Sequence, residues 1–497
     1  MRVLALLPLA IVCALGANAD GWAVRSSYAR IADGVLTVDI PAGKESVDAQ
    51  ARKEIDLSPF AGKAIEVSVR CRGERLSRPK QSWLGLKVML HYRDESGDQW
   101  PQAATREGSF DWQTVTFLHD FRGRRPAKGT LSLGIQNATG KAEFDLSSVR
   151  VAEVEPLFAM TNGEFRVKYP SAIAAKPPLR GVMLPARAPV EDDFRTLREW
   201  GATLARFQMI RGWSEVNDNQ DLAEYDRWLD GKLVDLERCL PWAEKCGIEL
   251  IVDLHVPPGG RDASHEMNMF HDARYADHFI ACWRRIATRF RGRKGVYGYD
   301  LINEPTQTRR ALPGCDYWNL QRRAAEAVRA IDPDTPIIIE SNAWDDPEAF
   351  VYLSPLAMDN VIYQAHMYRP HEFTHQGVHG DWKKAKWPDA AKGWDRERIR
   401  KTLRPVLEFR EKHNARILIG EFSAITWAEG AENYIADCIA LFNEYGFDWT
   451  YHAYREWNGW SVEHEVSDFA TRQIVPSADN PRKRALLSGF GVRKGEF

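Results

Sequence analysis

The chain has 497 residues, 44% hydrophobic and 27% charged, with a formal net charge of −2. That length suits two domains better than one, and the near-neutral balance offers no basic excess for nucleic acid or an anionic membrane surface. The 18 tryptophans lift aromatics to 11%, a surplus that serves either one large core or surfaces that stack on flat apolar faces such as sugar rings.

The first residues, MRVLALLPLAIVCALGANADGW, contain Arg2, an apolar run from Val3 to Leu15, and Ala17-Asn18-Ala19. Residues 1–19 are therefore expected to be a signal peptide, directing the chain to the periplasm or the medium. The run is too short for a permanent anchor, and no later stretch is long and apolar enough to span a bilayer. Six cysteines remain after cleavage: Cys71, Cys239, Cys246, Cys282, Cys315 and Cys438. They show no CxxC or metal-ligand spacing, so most are expected as buried thiols, with one distant disulfide left open. Cys239 and Cys246 fall on one predicted helix, ~10 Å apart along its axis, too far to bridge.

Residues 20–155 carry short alternating runs, among them GVLTVDI, AIEVSVRC, LGLKVMLHY, WQTVTFLHD and TLSLGIQ, separated by turn clusters such as DESGD and NATGK. This pattern predicts an all-β sandwich of jelly-roll type. Trp83, Trp100 and Trp112 lie in or beside these runs. The stretches DLSPFAGKAIEVSV and NATGKAEFDLSSVRV resemble the carbohydrate-binding jelly-roll modules that accompany glycosidases. That resemblance implies sugar binding, with a structural spacer as the alternative. Residues 156–178 read as a linker whose end packs down.

From 179 to 497 strands alternate with helices. The strand candidates are RGVMLPA, ATLARFQM, IELIVDLHV, VYGYDLI, PIIIES, VIYQAHMY, RILIGEF and WTYHAYR. Between them, apolar residues recur at three- and four-residue spacing, and Gly201, Gly247 and Gly446 close three of the helices. Eight such units predict an α/β fold, a (β/α)₈ TIM barrel, with a doubly wound sheet as runner-up. No glycine-rich phosphate loop follows any strand, which argues against a nucleotide site.

Catalytic groups of such a barrel stand at the carboxyl ends of its strands. Those ends here read Arg206, His255, Asn303-Glu304, Glu340, His366 with Tyr368, and Glu421. Polar residues closing apolar strands on one rim are costly to pack as core, so together they mark a site. Glu304 after strand 4 and Glu421 on strand 7 would face each other across the mouth, the arrangement that glycoside hydrolysis requires. One carboxyl must stay protonated and the other ionised.

LINEP and ILIGEFS, with ARFQMIR, VDLHV and AHMY in the same order, resemble the strand-end signatures of the cellulase-type glycoside hydrolases of family 5, clan A, over about residues 180–460. The resemblance implies a retaining β-glycosidase with Glu304 as acid/base and Glu421 as nucleophile. It implies that Asn303 bonds the sugar 2-hydroxyl, that Tyr368 and Arg206 steady Glu421, and that His255 and His366 line the cleaving subsite. Glu340 is expected as a structural or outer acid. The expected substrate is a polysaccharide or its oligomers, foremost a β-1,4-glucan. Mannan, xyloglucan, β-1,3-glucan and an inactive sugar-binding protein are the alternatives. No metal or organic cofactor is expected, no nucleic acid, and no membrane anchor once the signal peptide is removed.

Strand 8 departs from the family pattern. In FDWTYHAYREWNGW the family's tryptophan falls on His452, leaving Trp457 or Trp460 to form the sugar platform. Trp344 is expected either to stack on sugar or to cap the barrel. His375 and Gln376 would touch sugar or brace their loop. HEMNMFH, at 265–271, lacks the HExxH spacing of a zinc helix.

Overall fold

The computed structural model describes residues 21–491, apart from 82, 95–96, 123, 158–163, 212–218, 263 and 379–382. The expected signal peptide lies outside the described residues, as does part of the expected linker. The chain divides into two compact units, Met1–Leu157 and Phe158–Phe497.

The first unit is built from ten strands: β1 (Ala23–Val24), β2 (Ala29–Ala32), β3 (Val35–Ile40), β4 (Asp48–Asp56), β5 (Ala64–Leu76), β6 (Gly85–Asp94), β7 (Gly97–Gln99), β8 (Gly108–Asp120), β9 (Lys128–Gln136) and β10 (Gly140–Val154). They form two antiparallel sheets, ordered β1-β4-β9-β6-β7 and β2-β3-β10-β5-β8. Alternation does the sorting: Val67, Val69 and Cys71 of β5 point into the core, while Arg70 and Arg72 point out. Trp22 is buried there, whereas Trp83 and Trp100 are 56% and 55% exposed. Trp112 is half-buried beneath the guanidinium groups of Arg70 and Arg72.

The second unit is a closed barrel of eight parallel strands: β11 (Arg180–Met183), β12 (Leu204–Gln208), β13 (Glu249–Asp253), β14 (Val296–Asp300), β15 (Ile337–Glu340), β16 (Val361–Met367), β17 (Arg416–Phe422) and β18 (Asp448–Tyr451). Pairing of β11 with β18 closes it. The helices between them bury one face each. Leu222–Cys246 starts on an Asp221 side chain that accepts from two backbone N–H groups, and stops at Gly247 with φ 70°. A hairpin of β19 (His464–Asp468) and β20 (Gln473–Pro476) follows the last barrel strand.

The amino-terminal end of the barrel is plugged by Leu179, Leu204, Ile251, Tyr297, Ile338, Ile362 and Leu418. Each such buried side chain contributes about 1.5–3 kcal/mol. Tyr169 packs against this plug, and its hydroxyl donates to the Val361 carbonyl at 2.7 Å. Val167 N–H donates to the His413 carbonyl at 2.8 Å. The end of the linker segment thus seals the floor of the barrel. All six described cysteines are free. No helix among the described residues is long and apolar enough to cross a membrane.

Candidate active site

Arg206 projects from β12 into the upper barrel with its side chain wholly buried. Its Nη1 lies 2.6 Å from Glu421 Oε1, its Nε 2.9 Å from Asp300 Oδ2, and its Nη2 2.9 Å from Asn303 Oδ1. Nη2 also meets Glu340 Oε1 at 3.1 Å and Asp253 Oδ2 at 3.3 Å. Burial opposes the charge, but Asp253, Asp300, Glu421 and Glu340 outweigh it and push the guanidinium well above its ordinary range.

Glu421 is held from two sides. Tyr368 donates its hydroxyl to Oε2 at 3.0 Å, opposite the Arg206 contact on Oε1. Burial alone would raise this carboxyl. His366, His452, Arg206 and His255 overcome that and hold it well below the usual carboxylate range. A Cβ at Gly420, beside it, would overlap the end of the Gln364 side chain and displace it.

Glu304 follows β14 on a left-handed backbone, φ 50°. Two side chains fix that conformation. Glu340 accepts from the Glu304 N–H at 2.5 Å, and Arg261 Nη2 donates to the carbonyls of Asn303 and Glu304 at 3.0 and 2.9 Å. The Glu304 carboxyl meets His366 Nδ1 at 3.0 Å. One carboxylate oxygen each of Glu304 and Glu421 and a ring nitrogen of His366 lie within 4.8 Å of one another. The same three donors have the spacing of a cation site, although Glu421 already carries the Arg206 guanidinium.

The acids behind the pair are deeply buried. Burial, Asp345 and Asp300 push Glu340 well above its ordinary range, against the pull of Arg206. Burial also raises Asp300 to about 6. Asp253 accepts from or faces His255 Nδ1 at 2.8 Å, and His255 Nε2 lies 3.3 Å from Asn303 Nδ2. That chain orients the Asn303 amide.

The barrel therefore brings Arg206, His255, Asn303, Glu304, Glu340, His366, Tyr368 and Glu421 together. Trp344 stands at the rim, 37% exposed, with the Arg261 guanidinium 5.0 Å from its ring. Trp457 is 43% exposed and packs edge-on to Trp427 and Trp460, while buried Trp460 faces Tyr368, His375 and His452. Gln376 is buried and braces its own loop through Phe373 and Ala385. In the 265–271 stretch, Glu266 is buried and accepts from Thr308 N–H at 2.6 Å, tying that loop to the one after β14. Sequence reading passed over Asp253, Asp300, Gln364, Asp345, Arg261 and Glu456. Asp253 and Gln364 did carry a signal, since each lies two residues before a rim histidine and so shares its face of the strand.

The family model "Cellulase (glycosyl hydrolase family 5)" matches residues 175–458, more than half of the chain. The chain belongs to glycosyl hydrolase family 5. This family 5 chain is 29% identical over 297 residues to Endoglucanase C of Acetivibrio thermocellus, covering 52% of itself and 83% of that enzyme. It is 27% identical over 191 residues to Cellodextrinase A of Ruminococcus flavefaciens, covering 38% of itself and 54% of that protein. Its fold matches Thermotoga maritima Cel5A, a mutant form with cellobiose, at TM-score 0.50 and 21% identity, over 63% of this chain and 96% of that one. The family 5 chain is a glycoside hydrolase.

Proposed function

We propose that the chain is an exported, retaining β-glycosidase acting on a β-1,4-glucan or its oligomers, with Glu304 as acid/base and Glu421 as nucleophile. The observation that carries this reading is the approach of the two carboxylates to within 4.8 Å across His366. Retaining enzymes hold their pair ~5 Å apart, whereas inverting ones leave room for a water at roughly 6.5–9.5 Å. The environments also differ. Glu421 is ringed by cationic and donor groups that favour its anion, as a nucleophile requires.

In the first step a Glu421 oxygen forms a bond to the anomeric carbon as the glycosidic C–O bond breaks. Glu304 gives its proton to the departing oxygen. In the second, water attacks the same carbon, its proton passes to Glu304, and Glu421 leaves as a carboxylate. Asn303, whose amide is held by Arg206 and His255, would bond the 2-hydroxyl in this reading.

The polymer is identified by assaying the mature chain on carboxymethyl cellulose, glucomannan, xyloglucan, laminarin and aryl glycosides, with Glu421→Gln as control. Activity on cellulose derivatives that the control lacks is the expected result. Activity that survives in the control overturns the nucleophile assignment, and preference for another polymer overturns the glucan. Glu304→Ala should spare activated aryl glycosides and lose roughly 10²–10⁴-fold on natural substrate. Equal losses on both would contradict its acid role. For the first unit, the exposed rings of Trp83 and Trp100 support sugar binding. Trp83→Ala and Trp100→Ala should weaken retention on insoluble polymer while turnover of soluble oligomers holds.

A further inference from the structure

His452 stands where the family resemblance expects a tryptophan, and its surroundings give it a different task. Its backbone N–H donates to the Phe422 carbonyl at 3.1 Å, which fixes it beside Glu421. Its side chain is 12% exposed. Nδ1 lies 2.8 Å from the Tyr368 hydroxyl, and Nε2 lies 3.3 Å from Glu456 Oε2. Glu456 is held in turn by Gln208, whose Nε2 donates to it at 2.9 Å and to the Leu184 carbonyl at 2.6 Å.

The donors and acceptors in this chain can be counted. Tyr368 has one hydroxyl proton, and it goes to Glu421 Oε2. The hydroxyl oxygen can then only accept from His452, so Nδ1 carries hydrogen. On the other side an ionised Glu456 also only accepts, so Nε2 carries hydrogen too. Burial and the adjacent carboxylates Glu421 and Glu304 push the Tyr368 phenol well above its ordinary range, so it keeps its proton. Burial opposes charge on His452, but Glu456 and Glu421, with Glu304 beyond, outweigh it and raise the imidazole to about 9. Glu456 is lowered by His452, by the Gln208 hydrogen bond and by His255, against its own burial.

We propose that His452, doubly protonated and braced by Glu456, is a positioning residue that turns the Tyr368 hydroxyl proton onto Glu421 and keeps that carboxylate ionised. The proposal rests on Glu421 being the nucleophile. A line Gln208–Glu456–His452–Tyr368–Glu421 then spans from β12 to β17, and it substitutes hydrogen bonding and charge for an aromatic floor. The cation also makes Glu421 a better leaving group when water releases the sugar.

The test is the pH dependence of kcat/KM for the full chain on the dinitrophenyl β-glycoside that the wild type cleaves fastest. That leaving group needs no proton, so the acid limb reports the nucleophile. Removing a nearby cation raises a carboxylate's pKa, so His452→Gln should move the acid limb to higher pH, by about one unit. A merely structural role lowers activity at every pH and leaves the limb in place, which would overturn the proposal. If His452→Gln does not fold, Glu456→Gln carries the test: it keeps the size of the side chain but removes the anion that braces the imidazole, so the His452 ring should titrate at lower pH by NMR, and an unmoved ring overturns the proposal. Glu421→Ala with azide separates the two assignments. Formation of the α-glycosyl azide with an unmoved limb overturns the relay alone, whereas its absence overturns the nucleophile beneath it.

Discussion

Both ends of the barrel bury an arginine against carboxylate, and the two sites are built in opposite ways. At the lower end Arg416 Nε and Nη2 meet the two oxygens of Asp448 at 2.6 and 2.7 Å. The Leu179 N–H and the Tyr297 hydroxyl complete that carboxylate at 2.6 and 2.5 Å. One cation answers one anion amid an apolar plug. At the upper end the one guanidinium of Arg206 is shared by Asp253, Asp300, Glu340 and Glu421. The surplus of acid cannot all ionise in a buried space, so the environments drive the carboxyls apart, Glu340 up and Glu421 down. A matched pair holds strands together, whereas an unmatched cluster sets up acid–base chemistry.

The contrast can be broken first at the arginines. Arg206→Met should leave several carboxyls facing one another, destabilise the fold by roughly 3–5 kcal/mol, and lower kcat/KM by about 10²–10³-fold. Arg416→Met should cost similar stability by unpairing buried Asp448, yet leave kcat/KM of the folded enzyme at the wild-type value. Denaturant melts and steady-state kinetics on both variants check this. A large kinetic defect in Arg416→Met, or none in Arg206→Met, would erase the distinction.

A smaller effect sharpens it. Burial, opposed by Arg206, raises Asp300 from 3.8 to about 6. Folded Asp300 thus holds its proton more tightly than the unfolded chain does. Its contribution to stability is fully present below about pH 4 and is lost as pH rises through about 6. Asp300→Asn should flatten that decline in a series of denaturant midpoints between these values. An unchanged slope would remove Asp300 from the set of protonated acids.

The fold was largely legible in the sequence, because β/α alternation writes each barrel strand as an apolar run bounded by helix periods. Rim residues such as Arg206, His366 and Glu421 were legible for the same reason, as polar groups ending those runs. What lay behind them was not. Asp300 sits within its run and reads as strand, although its charge could serve only inside the barrel, and Gln364 is marked only by its two-residue spacing from His366. Arg261, Asp345 and Glu456 come from loops, where no period says which way a side chain points. Strand 8 is the clearest case: the substitution at His452 was visible, but its partners Tyr368 and Glu456 emerge only when β16 and β18 close side by side around β17. Likewise the choice between Trp457 and Trp460 as the inner aromatic needed burial, which places Trp460 against His452.

The central claim, a double displacement by Glu304 and Glu421, is tested most directly by proton NMR of the first minutes of hydrolysis of a soluble substrate that the enzyme cleaves. The β-anomer should form first and mutarotate afterwards to the equilibrium mixture. Initial release of the α-anomer would mean a single displacement by water, and would contradict the reading of the Glu304–Glu421 spacing as that of a retaining pair.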